Sequence, residues 1–283
     1  MRKKQSVTEH SFISFDETPI HYCLLKTAGT PKAIVIFIHG LGEYGKRYSA
    51  FGEYLNGLGI DSYFPDLRGF GQSGGRRACV RSFSDFHEDL YAFHSWISRN
   101  HKGVPVFLLG HSFGGLVASS YLSLRKHPPA AGVVLSSPLF GIAISVPLLR
   151  HWIALLASTL CPDLTEANGV DPFLLTHDAE ILSAYGKDPL IFHRISARLY
   201  REIHIMMRKK NAIAGNLKDP VLLLQAGEDH IVSKAQSLKF FSQIAAKDKE
   251  LEVYDGFYHE ILNESRRAIV YARIGAWLLK KSV

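Results

Sequence analysis

The sequence predicts an α/β fold, a mostly parallel central sheet flanked by helices, with a helical cap inserted late in the chain. Three observations carry this. Runs such as Ala33–Ile38 (AIVIFI) and Val104–Leu109 (VPVFLL) are apolar without alternation, as strands covered on both faces are. They alternate with segments whose apolar residues recur at helical spacing, the pattern of parallel strands joined by crossover helices. The alternation then stops from Gly141 to about Ala212, where there is no clear strand, and afterwards resumes.

Taken in order, His10–Phe15 and Pro19–Leu25 read as two short strands around the turn Asp16-Glu17-Thr18, followed by the buried strand Ala33–Ile38. Ser49–Leu58 carries Phe51, Tyr54, Leu55 and Leu58 at helical spacing and stops at Gly59. Ile60–Pro65 reads as a strand, and Ser82–Asn100 as a helix with Phe83, Phe86, Leu90, Phe93 and Ile97 along one side. Val104–Leu109 is a strand, Phe113–Arg125 a helix and Gly132–Ser136 a strand. In the interruption, Pro147–Leu160 (PLLRHWIALLASTL) reads as a helix with Pro147 in its first turn and Pro162 closing it. Strand Val221–Gln225, helix Lys234–Ala246, strand Leu251–Tyr254 and helix Arg266–Lys281 complete the chain. The organisation is therefore a core of residues 1–140 and 213–283 with residues 141–212 inserted as a helical cap.

Composition narrows the function. The 283 residues are 47% hydrophobic and 21% charged, ordinary globular usage that excludes a disordered or collagen-like chain. Lys and Arg exceed Asp and Glu by 33 to 26, a net charge of +7. The densest basic clusters, Arg2–Lys4 and Arg208–Lys210, are short, and no basic stripe interleaves with aromatics, which argues against a nucleic-acid partner. Weak attraction to an acidic membrane surface fits the charge better. The polar stretch after Met1–Ser6 lacks the apolar region of a secretion signal. Pro147, Arg150 and His151 interrupt Leu139–Cys161 before it reaches the ~18 residues of a membrane span. Three cysteines, Cys23, Cys79 and Cys161, give neither a disulfide framework nor metal-ligand spacing. A soluble protein of a reducing cytoplasm is expected.

The chemistry concentrates in three loops. Gly110-His111-Ser112-Phe113-Gly114 fits G-x-S-x-G, with a buried strand before it and a helix after it. That context belongs to a nucleophile elbow, a turn so tight that a side chain at position 110 or 114 would crowd its neighbours. A plain glycine-rich turn would also fit the bare pattern, but not the company it keeps. A serine nucleophile needs a base, an acid that orients the base, and an oxyanion hole. After Val221–Gln225 the chain reads AGEDH, and after Leu251–Tyr254 it reads DGFYHE. Asp229 and His259 follow Ser112 in the order acid, then histidine, required by this topology. Glu228 is the local rival acid, and His230 comes too early to be the base. For the oxyanion, the N–H of Phe113 directly follows the nucleophile, and the loop His39-Gly40-Leu41-Gly42-Glu43 offers that of Leu41.

These segments resemble an α/β-hydrolase of the monoacylglycerol lipase and lysophospholipase group, of the serine aminopeptidase S33 type. The resemblance lies in HGLGEYGKRY (His39–Tyr48), PDLRGFGQSGGRR (Pro65–Arg77), PVFLLGHSFGG (Pro105–Gly115), PVLLLQAGEDHIVS (Pro220–Ser233) and YDGFYHEILNE (Tyr254–Glu264). It implies the α/β-hydrolase fold, a cap inserted after the strand that follows the nucleophile helix, and no cofactor or metal. Phe113 stands where relatives usually carry methionine, and its ring is expected to narrow the pocket. The implied activity is hydrolysis of a monoacyl lipid, foremost monoacylglycerol, through an acyl-enzyme on Ser112. A lysophospholipase or general carboxylesterase is the alternative, and a non-catalytic ligand-binding protein on the same scaffold is disfavoured by an apparently complete triad.

Glu43 and Arg47, four residues apart, would pair if helical, either ordering the oxyanion loop or meeting a glycerol head group, or else forming a solvated pair of under ~1 kcal/mol. Asp66 and Arg68 are expected to brace a nearby loop. Leu149, Trp152 and Leu156 of the cap helix are expected to line an acyl pocket, with another face available to a membrane. Activity should rise with pH through an apparent pKa near ~6.5–7 as His259 loses its proton.

Overall fold

The structure is a computed structural model that describes residues 7–282; the basic cluster Arg2–Lys4 lies outside the described residues. Strands β1 (Thr8–Ile13) and β2 (Pro19–Leu25) form an antiparallel hairpin that pairs Ile13 with Pro19 and Thr8 with Leu24. The first strand begins and ends two residues earlier than expected. Its turn starts at Ser14, whose N–H donates to Thr18 O at 2.9 Å, and Glu17 takes a left-handed φ of 64°.

The alternation then unfolds as β3 (Ala33–Ile38), a 3-10 turn at Gly45–Tyr48, α1 (Ser49–Gly57), β4 (Ile60–Pro65), α2 (Ser84–Asn100), β5 (Val106–His111), α3 (Phe113–Leu124) and β6 (Gly132–Ser136). The interruption holds α4 (Leu148–Leu160), β7 (Thr165–Ala167), α5 (Ala179–Lys187), β8 (Arg194–Ser196), α6 (Ala197–Arg208) and the start of α7 (Lys210–Asn216). Then come β9 (Val221–Ala226), α8 (Lys234–Gln243), β10 (Lys249–Tyr254) and α9 (Ala268–Lys281). One sheet runs β1-β2-β4-β3-β5-β6-β9-β10, antiparallel at β1/β2 and β2/β4 and parallel in every other pairing.

The unbroken apolar strands earn their burial on two sides. Ile34, Ile36 and Ile38 of β3 face a core built with Phe86 and Phe93 of α2 and Tyr121 of α3, while Val35 and Phe37 face Phe51 of α1 and Trp277 of α9. Strand β5 begins two residues later than expected and runs through Gly110 and His111. It delivers Ser112 directly into the first turn of α3, with no intervening loop.

The stretch expected to lack strands contains two. Strands β7 and β8 pair antiparallel, apart from the main sheet. Each is three residues long, too short for side-chain alternation to register in sequence. Pro147 stands just before α4, in extended conformation, and not within its first turn. Nothing between β6 and β9 adds a strand to the main sheet. No helix of the described residues is long and apolar enough to cross a membrane.

Candidate active site

Ser112 occupies a left-handed bend between β5 and α3, with φ 52° and ψ −117°. Such a conformation is costly for a residue with a side chain and persists only where its surroundings enforce it. The enforcement is visible in the glycines. A Cβ at Gly110 would lie 2.3 Å from Gly114 O, and one at Gly114 would lie 2.1 Å from Ile38 O. Only glycine lets β5, α3 and the end of β3 approach this closely. The bend lifts the Ser112 hydroxyl above the carboxyl ends of the strands and next to the N–H groups that open α3.

Two later loops reach this hydroxyl. Ser112 Oγ–H donates to His259 Nε2 at 2.9 Å, and His259 Nδ1–H donates to Asp229 Oδ2 at 2.9 Å. The other carboxylate oxygen of Asp229 accepts from the N–H groups of Ile231 and Val232, at 3.0 and 2.9 Å, and Gln225 donates to Oδ2 at 3.2 Å. Asp229 is thereby held on every side, whereas Glu228 and His230 are exposed. His259 is 3% exposed and Ser112 9%. Burial pulls the His259 imidazole down, but the Asp229 carboxylate outweighs it and the pKa ends above the ordinary histidine value. Burial would raise Asp229, and its partnership with His259 leaves it lowered. His111, 4.9 Å from His259 ring to ring, is pushed down to about 3 by burial and then by His259, and stays neutral.

Phe113 opens α3, so its N–H has no partner within the helix. Leu41 and Gly40 line the cavity in front of Ser112. The Phe113 ring does not narrow that cavity. It is fully buried edge-on against Phe83 and Phe86, because the first turn of α3 points it into the core.

Glu43 and Arg47 are no solvated pair. Glu43 accepts from Gly40 N–H at 2.5 Å and from the Tyr48 hydroxyl at 2.9 Å, and it is ion-paired to Arg47. Arg47 also grips Glu260 with two hydrogen bonds, 3.0 and 2.8 Å long. Burial disfavours both charges, yet each partner restores the other, leaving Glu260 below the usual carboxylate range and Arg47 above its own. Arg47 further lies 4.9 Å from the centre of the Tyr185 ring on α5. Enclosed in this way it does not line the cavity, while Glu43 does. The network joins the Leu41 loop to the residue beside His259. Glu260 was the missed member, although it directly follows His259 in the sequence. Asp66 braces the neighbouring loop by accepting from Gly45 and Gln72 N–H, and Arg68 is tied to Asp16 and Asp89.

The cavity measures about 130 Å³ and is largely apolar, with Leu139, Ile142, Val170, Leu175, Ile203 and Val232 among its walls. Leu149, Trp152 and Leu156 are not among them. They are 72%, 65% and 62% exposed on the outer face of α4, whose opposite face packs on α6. The helix is apolar nearly all round, so its sequence could not say which side turned inward. Outside the cavity, the ligand atoms of Glu9, His21 and Cys23 come within 4.8 Å of one another. The cation position beside Glu9 is taken by Lys46 at 2.6 Å, and Asp66 holds His21 Nδ1 at 3.0 Å.

The sequence matches the Hydrolase_4 family, serine aminopeptidase S33, across residues 29–266. It is similar to phospholipase YtpA of Bacillus subtilis, 33% identical over 86% of this chain and 94% of that one. It is also similar to a monoacylglycerol lipase of Mycolicibacterium smegmatis, 28% identical over 96% and 97%. Among solved structures, Paleococcus ferrophilus monoacylglycerol lipase superposes with a TM-score of 0.83 at 30% identity, covering 98% of this chain and 99% of that one.

Proposed function

The chain belongs to the serine aminopeptidase S33 family of hydrolases, and on that premise we propose the route by which it works as a carboxylic ester hydrolase of monoacyl lipids. The observation that carries the proposal is the continuous line of hydrogen bonds from the Ser112 hydroxyl through His259 to Asp229, opening onto an apolar cavity. His259 takes the Ser112 proton as Oγ attacks the ester carbonyl. The tetrahedral oxyanion is received by the N–H groups of Phe113 and Leu41. Asp229 fixes the His259 tautomer and stabilises the imidazolium without itself taking the proton. His259 then protonates the departing alcohol, and water, deprotonated by the same imidazole, releases the fatty acid.

The head group is read from charge. Glu43 and Glu260 line the cavity and no Lys or Arg does so among the described residues. A phosphodiester would enter without a counter-charge, whereas a glycerol would find carboxylate acceptors. Monoacylglycerol is therefore the proposed substrate. Lysophospholipid is the second reading, favoured by the likeness to a phospholipase. Residues 141–212 act as the cap over this cavity. The outer face of α4 presents Leu149, Trp152 and Leu156 to a membrane surface from a cytoplasmic location. The deciding experiment is hydrolysis of monoacylglycerols against lysophosphatidylcholines of the same acyl chain. A higher kcat/KM for the glycerol ester is expected, and the reverse order would transfer the assignment to lysophospholipase.

A further inference from the structure

The loop that carries Leu41 is held from two sides, and only one of them belongs to the core. On the core side, Glu43 accepts the Gly40 N–H. On the other side stands the stretch of cap between α5 and β8. Asp188 ends α5 in extended conformation, and the Pro189 that follows cannot continue the helix. One carboxylate oxygen of Asp188 accepts the Leu190 N–H at 2.9 Å, which folds the chain back as an Asx turn does. The other accepts the Tyr44 hydroxyl at 2.5 Å. Just beyond the turn, the Phe192 N–H donates to Gly42 O at 2.7 Å. Gly42 and Tyr44 flank Glu43, so the cap grips the loop on both sides of its tie to the core. The approach at Gly42 is close: its φ is 81°, and a Cβ there would lie 2.7 Å from Phe192 O. The cap also reaches the base from the other end of α5, where Leu175 O accepts the N–H of Glu260, beside His259, at 2.8 Å.

We propose that Asp188 and Tyr44 are positioning residues for ester hydrolysis: with the Phe192 N–H they fix the Gly42 peptide, and through it the Leu41 N–H, where the tetrahedral oxyanion forms. The proposal rests on the serine-hydrolase reading of Ser112 and adds that the cap completes the oxyanion hole. A donor stabilises developing charge only if it is in place before the charge appears. Gly42, with no side chain, is the residue that would let its neighbour wander, and the bond from Phe192 removes that freedom. Asp188 sets where Phe192 stands, and the Tyr44 hydroxyl ties Asp188 to the loop. Neither Asp188 nor Tyr44 lines the cavity, so their loss should fall on the chemical step and spare the binding of the ester.

The test uses Tyr44→Phe, which removes only the hydroxyl, and Asp188→Ala, which removes both acceptors. A displaced donor costs less than the ~10²–10³-fold of a missing one, so each variant should lower kcat on a monoacylglycerol by about tenfold, with KM within about twofold of wild type. The double variant should be no slower than Asp188→Ala, because Tyr44 acts through Asp188. The reading that a merely structural role would not move is affinity for an alkyl trifluoromethyl ketone. Ser112 Oγ adds to its carbonyl, the Ser112 proton passes to His259, and the hemiketal oxyanion occupies the hole. Ketone affinity should weaken by the same factor as kcat/KM, whereas the non-hydrolysable ether analogue of the monoacylglycerol, which forms no adduct, should bind as it does to the wild type. Tyr44→Phe with kcat within about twofold of wild type would overturn the proposal. Equal weakening of ketone and ether would overturn it too, since the cap would then only shape the cavity. If Asp188→Ala does not fold, Tyr44→Phe decides alone. Failure of the underlying reading looks different: the wild type would hydrolyse no ester and would bind the ketone no more tightly than the ether.

Discussion

Arg47→Ala removes the guanidinium that joins two buried carboxylates. In the intact protein its two hydrogen bonds to Glu260, at 3.0 and 2.8 Å, and its ion pair with Glu43 are largely buried, with Arg47 9% exposed. Without Arg47 the carboxylates face each other uncompensated, and breaking a buried pair in this way costs about 3–5 kcal/mol. That is a large share of the ~5–15 kcal/mol that hold a domain folded. At a urea slope near 3 kcal/mol per molar, the midpoint should fall by about 1–2 M at pH 8. The sign of the pH dependence follows from Glu260. In the wild type its pKa is depressed, so its contribution is present above the unfolded carboxylate pKa and is lost as pH falls through the lower folded value. In the variant, burial without the cation raises that pKa, so the carboxyl protonates in the folded state and the penalty shrinks toward pH 4. The deficit should therefore grow from acid to pH 8. Because Glu43 also holds the Gly40 N–H beside Leu41, kcat should fall by about 10²-fold as the oxyanion loop shifts. A loss under ~1 kcal/mol at pH 8, or one independent of pH, would show the network to behave as an ordinary surface pair.

Further predictions concern the acid, the base and the cap. Asp229→Asn should lower kcat by about 10⁴-fold through the wrong His259 tautomer, while Glu228→Gln, on an exposed side chain, should change it by less than about twofold; kinetics that rank the two in the opposite order would reassign the acid. Because Asp229 raises the His259 pKa above the ordinary histidine value, kcat/KM should rise with pH through a midpoint above that value and not at its lower edge. A profile flat from pH 5 to 8 would contradict the role of His259 as base. Replacing Leu149 and Leu156 together by serine should reduce sedimentation with phospholipid vesicles and leave the acyl-chain profile as it is, because these side chains point away from the cavity at Ser112; a flattened profile would mean that they meet the substrate.

The core was legible because its strands are buried on both faces. A run such as Ala33–Ile38 has no alternative explanation once glycine-bounded helical segments flank it, and G-x-S-x-G between strand and helix left little freedom for Ser112. The meeting of the candidate acid Asp229 and base His259 with Ser112 was legible through chain order, because parallel strands deliver their loops to one edge of the sheet. What the sequence hid was relational. The helical spacing of Glu43 and Arg47 pairs them but says nothing of Glu260, which is distant in the chain and adjacent in space. The α4 helix carries leucines and a tryptophan on several faces, so its sequence fixes an apolar helix without fixing its rotation. Strands of three residues, such as Thr165–Ala167, lie below what period-two patterning can register. Phe113 illustrates the reverse error, in which a large ring beside the nucleophile suggested a narrowed pocket until the direction of the first helical turn placed it in the core.

The central claim is that Ser112 is the nucleophile, and labelling with a fluorophosphonate probe tests it most directly. The wild-type protein should take up one phosphonyl group per chain, located by peptide mapping at Ser112, and lose ester hydrolysis in step with labelling. Ser112→Ala should fold with the same thermal midpoint to within a few degrees, take up no label and hydrolyse no ester above background. Stoichiometric labelling of the alanine variant, or hydrolysis by it at the wild-type rate, would place the nucleophile elsewhere and contradict the account.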